Sequence, residues 1–213
     1  MKFKNDNEEI PRLNLNLKDS TQPALRSFDN SKILFHIPFW QLKTSNFKEK
    51  KNKIIDLLKD YPEEKTGTKD FFTNRHNINK ENVIPKFVNI LSNEIKQISK
   101  EFQNDFAITD IWSVSYETGD YQSPHNHGST GMSAILYLDL PNNAPYTSYI
   151  QPWTDIKLDG TRTKTLEIDE GDIIFVPSFL LHFSEPNKSD SIKRIVGWDM
   201  KLLNAWQTKR TSV

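Results

Sequence analysis

FAITDIWSVSYETGDYQSPHNHGSTGMSAILYLDL, residues 106–140, is the stretch that decides the fold. Upstream of it, apolar residues recur at helical spacing. From Phe106 onward they come in short runs rich in β-branched and aromatic residues, divided by clusters of Gly, Pro, Asn and Asp, which is the pattern of strands and turns. Ala107–Tyr116 and Met132–Leu140 therefore read as strands, and the same signature predicts strands over Thr165–Ile168, Asp172–Val176, Leu180–Ser184 and Ile192–Met200. Working back toward the start, Ile84, Phe87, Val88, Leu91, Ile95, Ile98 and Phe102 predict one long amphipathic helix with Pro85 in its first turn. Residues 61–80 read as loop. Residues 46–60 predict an earlier helix, with Phe47, Ile54, Ile55 and Leu58 on one face, Ser45 or Asn46 placed to cap it, and Lys48, Glu49, Lys50, Lys51 and Lys53 on a solvated face. Ile33–Trp40 (ILFHIPFW) reads as a first strand that Pro38 confines to a sheet edge. Helices ahead of many short strands imply an α+β domain, its antiparallel strands forming a sandwich or barrel with the helices on one face. Residues 1–30 read as a polar arm. Residues 31–213 read as one domain, with supporting helices and strand over 31–104 and the strand-rich core over 105–203.

Composition narrows the function classes. The 213 residues carry 28 Lys+Arg and 28 Asp+Glu, so zero net charge gives no global pull toward nucleic acid or an acidic membrane. A chain of this length buries a sufficient core without a structural metal. The absence of cysteine excludes disulfides, thiolate metal sites and a Cys nucleophile. The opening MKFKNDNEEIPRLNLNL has no apolar core or cleavage site of a signal peptide, and no run is apolar enough to span a bilayer. The expectation is a cytoplasmic protein, with a homodimer as one possible assembly.

The chemistry lies in the histidines. Three of the five fall in the strand-rich half: His125, His127 and His182. Residues i and i+2 of a strand project to one face, so PHNH offers two imidazoles side by side, and His182 joins them from a later strand. Imidazole suits Fe, Zn, Cu and Ni alike. Three protein ligands leave positions open for water or substrate, as catalytic metals require. Arg194 stands in an otherwise apolar strand, KRIVGWDM. A buried guanidinium there calls for an anion, either a bound carboxylate or a structural Asp or Glu.

The ordered set Tyr116-x-x-Gly119-Asp120-Tyr121-x-x-x-His125-x-His127, Ser133–Leu138 (SAILYL), Gly171–Pro177 (GDIIFVP), His182 and Arg194 resembles the 2-oxoglutarate/Fe(II) dioxygenase superfamily. Within it, the prolyl-4-hydroxylase-like branch is the nearest, specifically a group of putative oxygenases from bacteria and marine phages. The resemblance covers residues 105–200. It implies a double-stranded β-helix, or jelly roll, with the N-terminal helices packed on one sheet. It further implies Fe(II) held by His125, His127 and His182, and 2-oxoglutarate chelating that metal. Arg194 would grip the far carboxylate, and Tyr116 and Tyr137 would lie beside the co-substrate or pack across strands. The implied reaction uses O2, couples decarboxylation of 2-oxoglutarate to hydroxylation, and acts on a small molecule or a protein side chain. His127 departs from the family pattern, which has Asp or Glu there. Either the metal differs from iron, or another carboxylate completes the site; Asp120 is one such residue, although a turn role beside Gly119 suits it better. The segments Gly128–Gly131 and Pro141–Thr163 are expected to rim the pocket, with Tyr149 and Trp153 as stacking or packing residues and Trp198 as pocket wall or core. A cupin-type metalloenzyme that does not use 2-oxoglutarate is the alternative on the same three histidines.

Overall fold

A computed structural model describes residues 37–67, 70–102, 105–154 and 160–203. The proposed arm, residues 1–30, lies outside this set. Seven strands form the larger sheet: β1 (Trp40–Lys43), β2 (Glu64–Lys65), β3 (Phe72–Thr73), β4 (Phe106–Tyr116), β6 (Met132–Asp139), β9 (Asp172–Pro177) and β11 (Lys193–Leu202), in the order β1-β9-β6-β11-β4-β3-β2. The smaller sheet holds β5 (Gln122–His125), β7 (Thr147–Ile150), β8 (Thr163–Thr165) and β10 (His182–Ser184), in the order β5-β10-β7-β8. Every strand pairing is antiparallel. Three helices, α1 (Phe47–Leu58), α2 (Lys80–Ile90) and α3 (Ser92–Phe102), complete the described elements.

The central strands β4, β6, β9 and β11 are buried on both faces, and each face has its own core. On the helix side, Ile111, Leu136, Ile173, Phe175, Val196 and Trp198 pack with Ile54, Phe87, Leu91 and Ile98 of the helices. On the other side, Trp112, Val114, Tyr116, Ile135, Tyr137, Ile174, Val176 and Ile195 meet Tyr149, Leu166 and Leu180 of the smaller sheet region. The expected jelly roll with helices on one sheet is this architecture. The strand period of two sends alternate residues of β11 to the two cores. Lys193, Ile195, Gly197 and Asp199 share one parity; Arg194, Val196 and Trp198 share the other.

Local details depart from the expected elements for physical reasons. Residues 33–36 of the expected first strand lie outside the described residues; among those described, the first strand is Trp40–Lys43, and it lies at the sheet edge. The single long helix is two, α2 and α3, divided at Leu91 (φ −98°, ψ 24°). Helix α2 starts a turn earlier than its apolar stripe, because the Asn79 side chain accepts a hydrogen bond from the Asn82 N–H at 3.1 Å. Pro85 consequently sits inside the helix. Asn46 does occupy the cap of α1, in the left-handed region (φ 48°), but makes no side-chain cap bond. Ser45 is committed elsewhere: its N–H and hydroxyl both donate to Glu94 Oε1. The lysine-rich face of α1 is only partly solvated. Lys50 bonds both oxygens of the buried Glu94 at 2.9 and 2.7 Å, and Lys51 pairs with Asp139 and Glu170. Strands β2 and β3 arise inside the expected 61–80 loop. Two residues carry no readable period, and they become strands through the pairing of Phe72 and Thr73 with Ser115 and Val114.

Candidate metal centre and its cavity

His125 ends β5, and its direct cross-strand partner is His182, the first residue of β10. His127 lies beyond the strand, so the i, i+2 rule alone does not orient it. Its backbone N–H donates to Ser178 O at 2.9 Å, which turns the chain back toward the sheet. The three rings converge with centroids 4.4 to 5.3 Å apart. One ligand-capable atom from each lies within 4.8 Å of the others.

The hydrogen bonds behind the rings set their tautomers. His125 Nδ1 faces Ser123 O at 2.9 Å, His182 Nδ1 faces Leu180 O at 2.9 Å, and His127 Nδ1 faces Asp199 Oδ1 at 2.7 Å. All three partners only accept, so each Nδ1 carries a proton and Nε2 is the nitrogen through which each ring can bind a metal. The Gln122 amide nitrogen lies 3.2 Å from His125 Nε2, a contact that needs a lone pair there. Burial pushes the His182 pKa down to about 3, with the neighbouring His125 adding to the effect. Burial likewise lowers His125. Three imidazoles with Nδ1 engaged by acceptors and ligand atoms gathered in one place form a donor set that fits a divalent metal ion.

The histidines open into a cavity of about 330 Å³. Trp112, Val114, Tyr116, Ile135, Ser184 and Gly197 line it, together with Thr73 of β3 and the following Arg75 and His76. Gly197 is required here: a Cβ at that position would fall 2.7–2.9 Å from the Trp112 indole. That indole packs 5.2 Å from the His127 ring and carries the Arg75 guanidinium 4.1 Å from its centroid. Tyr116 and Tyr137 are both buried. The Tyr116 hydroxyl donates to Gln122 Oε1 at 2.7 Å, within one side chain of His125. The Tyr137 hydroxyl donates to Thr147 Oγ1 at 2.7 Å.

Arg194 does not reach this cavity. It faces the helix side with Val196 and Trp198, is 46% exposed, and pairs with Asp139 at 3.1 Å. The expected requirement for an anion is met by that structural carboxylate. The cation on the inward face is its neighbour Lys193, which is fully buried. Lys193 Nζ donates to Pro145 O at 2.7 Å and to Ser184 Oγ at 2.9 Å, and it sits 4.8 Å from the Tyr116 ring centroid. No carboxylate pairs with it among the described residues. Burial lowers its pKa to about 7. The signal for Lys193 was adjacency: of two consecutive cations on a strand, one must face inward. Asp199 was also missed, although it shares the inward parity of Lys193.

Asp120 is a turn residue, accepting the Glu117 N–H at 3.0 Å and pairing with Lys65 at 2.9 Å. The carboxylate that touches the histidine cluster is Asp199. Within 141–163, Thr147 lines the cavity, whereas Tyr149 and Trp153 line a separate cavity of about 480 Å³. Trp198 is helix-side core, in edge contact with Phe87.

Residues 110–198 match the family described as "Putative 2OG-Fe(II) oxygenase". No curated protein matches the chain. Among solved structures, one similar to it is an oxidoreductase of the 2OG-Fe(II) oxygenase family from Burkholderia pseudomallei, with 11% identity over 76% of this chain and 84% of that one (TM-score 0.61). A second is the viral collagen prolyl hydroxylase of Paramecium Bursaria Chlorella virus-1 in complex with 2OG, 16% identical over 76% of this chain and 94% of that one (TM-score 0.52). A third is HygX from Streptomyces hygroscopicus with nickel, 2-oxoglutarate and hygromycin B bound, 8% identical over 78% and 83% (TM-score 0.57). At these identities the likeness is one of fold, and the fold is the double-stranded β-helix.

Proposed function

We propose that this chain, whose residues 110–198 match the 2OG-Fe(II) oxygenase family model, couples decarboxylation of 2-oxoglutarate to hydroxylation of a small molecule or side chain. His125, His127 and His182 hold Fe(II). Lys193, in place of Arg194, receives the far carboxylate of 2-oxoglutarate, with Tyr116 and Tyr137 walling the co-substrate. One observation carries the reading: three imidazoles with their Nδ1 atoms engaged open into a cavity lined by Tyr116 and Ser184, and both of these residues contact the buried Lys193, which pairs with no carboxylate among the described residues.

The bound iron and 2-oxoglutarate supply the oxidising chemistry, as cofactors do. The chain's own work is placement. Ser123 O, Leu180 O and Asp199 keep the proton on the outer nitrogen of each ring, so that the inner nitrogens stay available as donors. The Lys193 ammonium, desolvated and held by two neutral oxygens, is poised for a carboxylate, which converts a costly isolated charge into a pair. Ile135, Val114 and Ile195 form apolar walls that exclude water from the space between.

The test is anaerobic titration of the protein with Fe(II) and 2-oxoglutarate, followed by visible absorption and, on admitting O2, by succinate formation. A metal-to-ligand charge-transfer band is expected in wild type and no band in His182→Ala. Folded, iron-loaded protein with neither band nor succinate overturns the proposal in favour of the cupin-type alternative.

A further inference from the structure

The three imidazoles are not equivalent. His125 and His182 direct Nδ1 at neutral backbone carbonyls, whereas His127 directs Nδ1 at a carboxylate, Asp199 Oδ1, at 2.7 Å. That carboxylate is immobilised on all sides. Its Oδ1 also accepts the Ser133 hydroxyl at 2.7 Å, and Ser133 in turn bonds Ser178 Oγ at 2.9 Å. Its Oδ2 lies 3.5 Å from Arg75 Nη2. Arg75 is itself fixed by Asp110, at 3.2 and 3.0 Å, and by stacking on Trp112. Ser178 closes the loop by accepting the His127 backbone N–H at 2.9 Å. The ring is thus pinned from its backbone and from its outer nitrogen by one connected network.

We infer that Asp199 is a positioning residue for the metal centre: acting through His127, it supplies the carboxylate that an all-histidine ligand set lacks. The inference rests on the metal-binding role given to the histidines above. A divalent ion held by neutral rings keeps its full charge in a half-buried site, and the Coulomb energy of that charge is large where water is scarce. A carboxylate hydrogen-bonded to a ligand's outer N–H raises the basicity of its inner nitrogen, and loss of such a partner typically costs about 10–100-fold in metal affinity. The site then contains one strong donor, His127, and two ordinary ones. The Arg75 contact links the Asp199 carboxylate to the cavity wall.

The test uses Co(II) as probe in full-length protein, with affinity measured by competition against a chelator and coordination read from the d–d absorption bands. Asp199→Asn preserves shape and removes the charge. The expected result is about 10–100-fold weaker Co(II) binding and displaced bands, with Ser133→Ala changing affinity by less than about threefold. In a His127→Ala background, Asp199→Asn is expected to add no further loss, because the path through the ring is gone. In wild-type protein the Co(II)-shifted NMR spectrum should show three exchangeable imidazole N–H signals, one of them distinctly more downfield and slower to exchange; this readout needs no variant to fold. Unchanged affinity and bands in Asp199→Asn, an equal loss in the His127→Ala background, or three equivalent N–H signals would overturn the inference while leaving the metal site standing. Failure of wild-type protein to bind Co(II), or undiminished binding in His182→Ala, would overturn the metal reading itself.

Discussion

Lys193→Met is the substitution that most sharply separates the inward from the outward reading of strand β11. Methionine keeps the length of the side chain and removes its charge. Among the described residues the ammonium contacts two neutral oxygens and a ring face, and burial lowers its pKa from 10.5 to about 7. The unfolded chain therefore binds more protons than the folded one between pH 7 and 10.5, and wild-type stability rises with pH across that window. At about 1.4 kcal/mol per unit, the rise amounts to a few kcal/mol at most. Lys193→Met abolishes it. Binding shows the opposite pattern. Once a carboxylate pairs with Lys193, loss of the buried partner costs roughly 3–5 kcal/mol, so the Kd for 2-oxoglutarate rises on the order of 10²- to several 10³-fold. Only the ammonium form binds, so wild-type affinity falls by nearly tenfold per pH unit above pH 7. Arg194→Met removes an exposed pair with Asp139, worth about 0–1 kcal/mol, and leaves the Kd within about threefold. The assay is calorimetric titration of the anaerobic Fe(II)-loaded protein at several pH values, with thermal melts of each metal-free variant. Weak binding in Arg194→Met beside normal binding in Lys193→Met would refute the assignment of faces on β11.

Gly197→Ala places a methyl group 2.7–2.9 Å from the Trp112 indole; overpacking should cost about 1–3 kcal/mol in urea denaturation, and weaker metal binding should accompany it as the indole is driven toward His127. Glu94→Gln breaks the buried pair that ties α3 to α1 and is expected to lose about 3–5 kcal/mol at neutral pH. Glu94 is a test of acid stability as well: burial alone would raise its pKa, but the bonds from Lys50 and Ser45 outweigh burial and leave it lowered. Its contribution is present above the ordinary glutamate range and is lost as pH falls through the lowered value. Acid melts should therefore flatten in Glu94→Gln, and an unchanged acid limb would show that the pair contributes nothing.

Much of this protein was legible in one dimension. The switch from helical to strand spacing at Phe106 gave the α+β class, since period and turn chemistry are local properties of the chain. The three histidines stood out because metal-binding residue types are few and their order along the strands is restrictive. Short β2 and β3 were not legible, because two residues hold no period and β4 is what makes them strands.

The choice between Lys193 and Arg194 belongs to the tertiary structure alone. Strand β11 is central and covered on both faces, so Ile195 and Gly197 on one side look no different in sequence from Val196 and Trp198 on the other. Alternation tells inside from outside only when one face meets water. Asp199 was hidden for a related reason: its meaning lies in His127, brought to it across the fold by β11 pairing with β6 and by the Ser178 contact. Residue types dictated that a metal centre could form here; register and parity decided which charges face it.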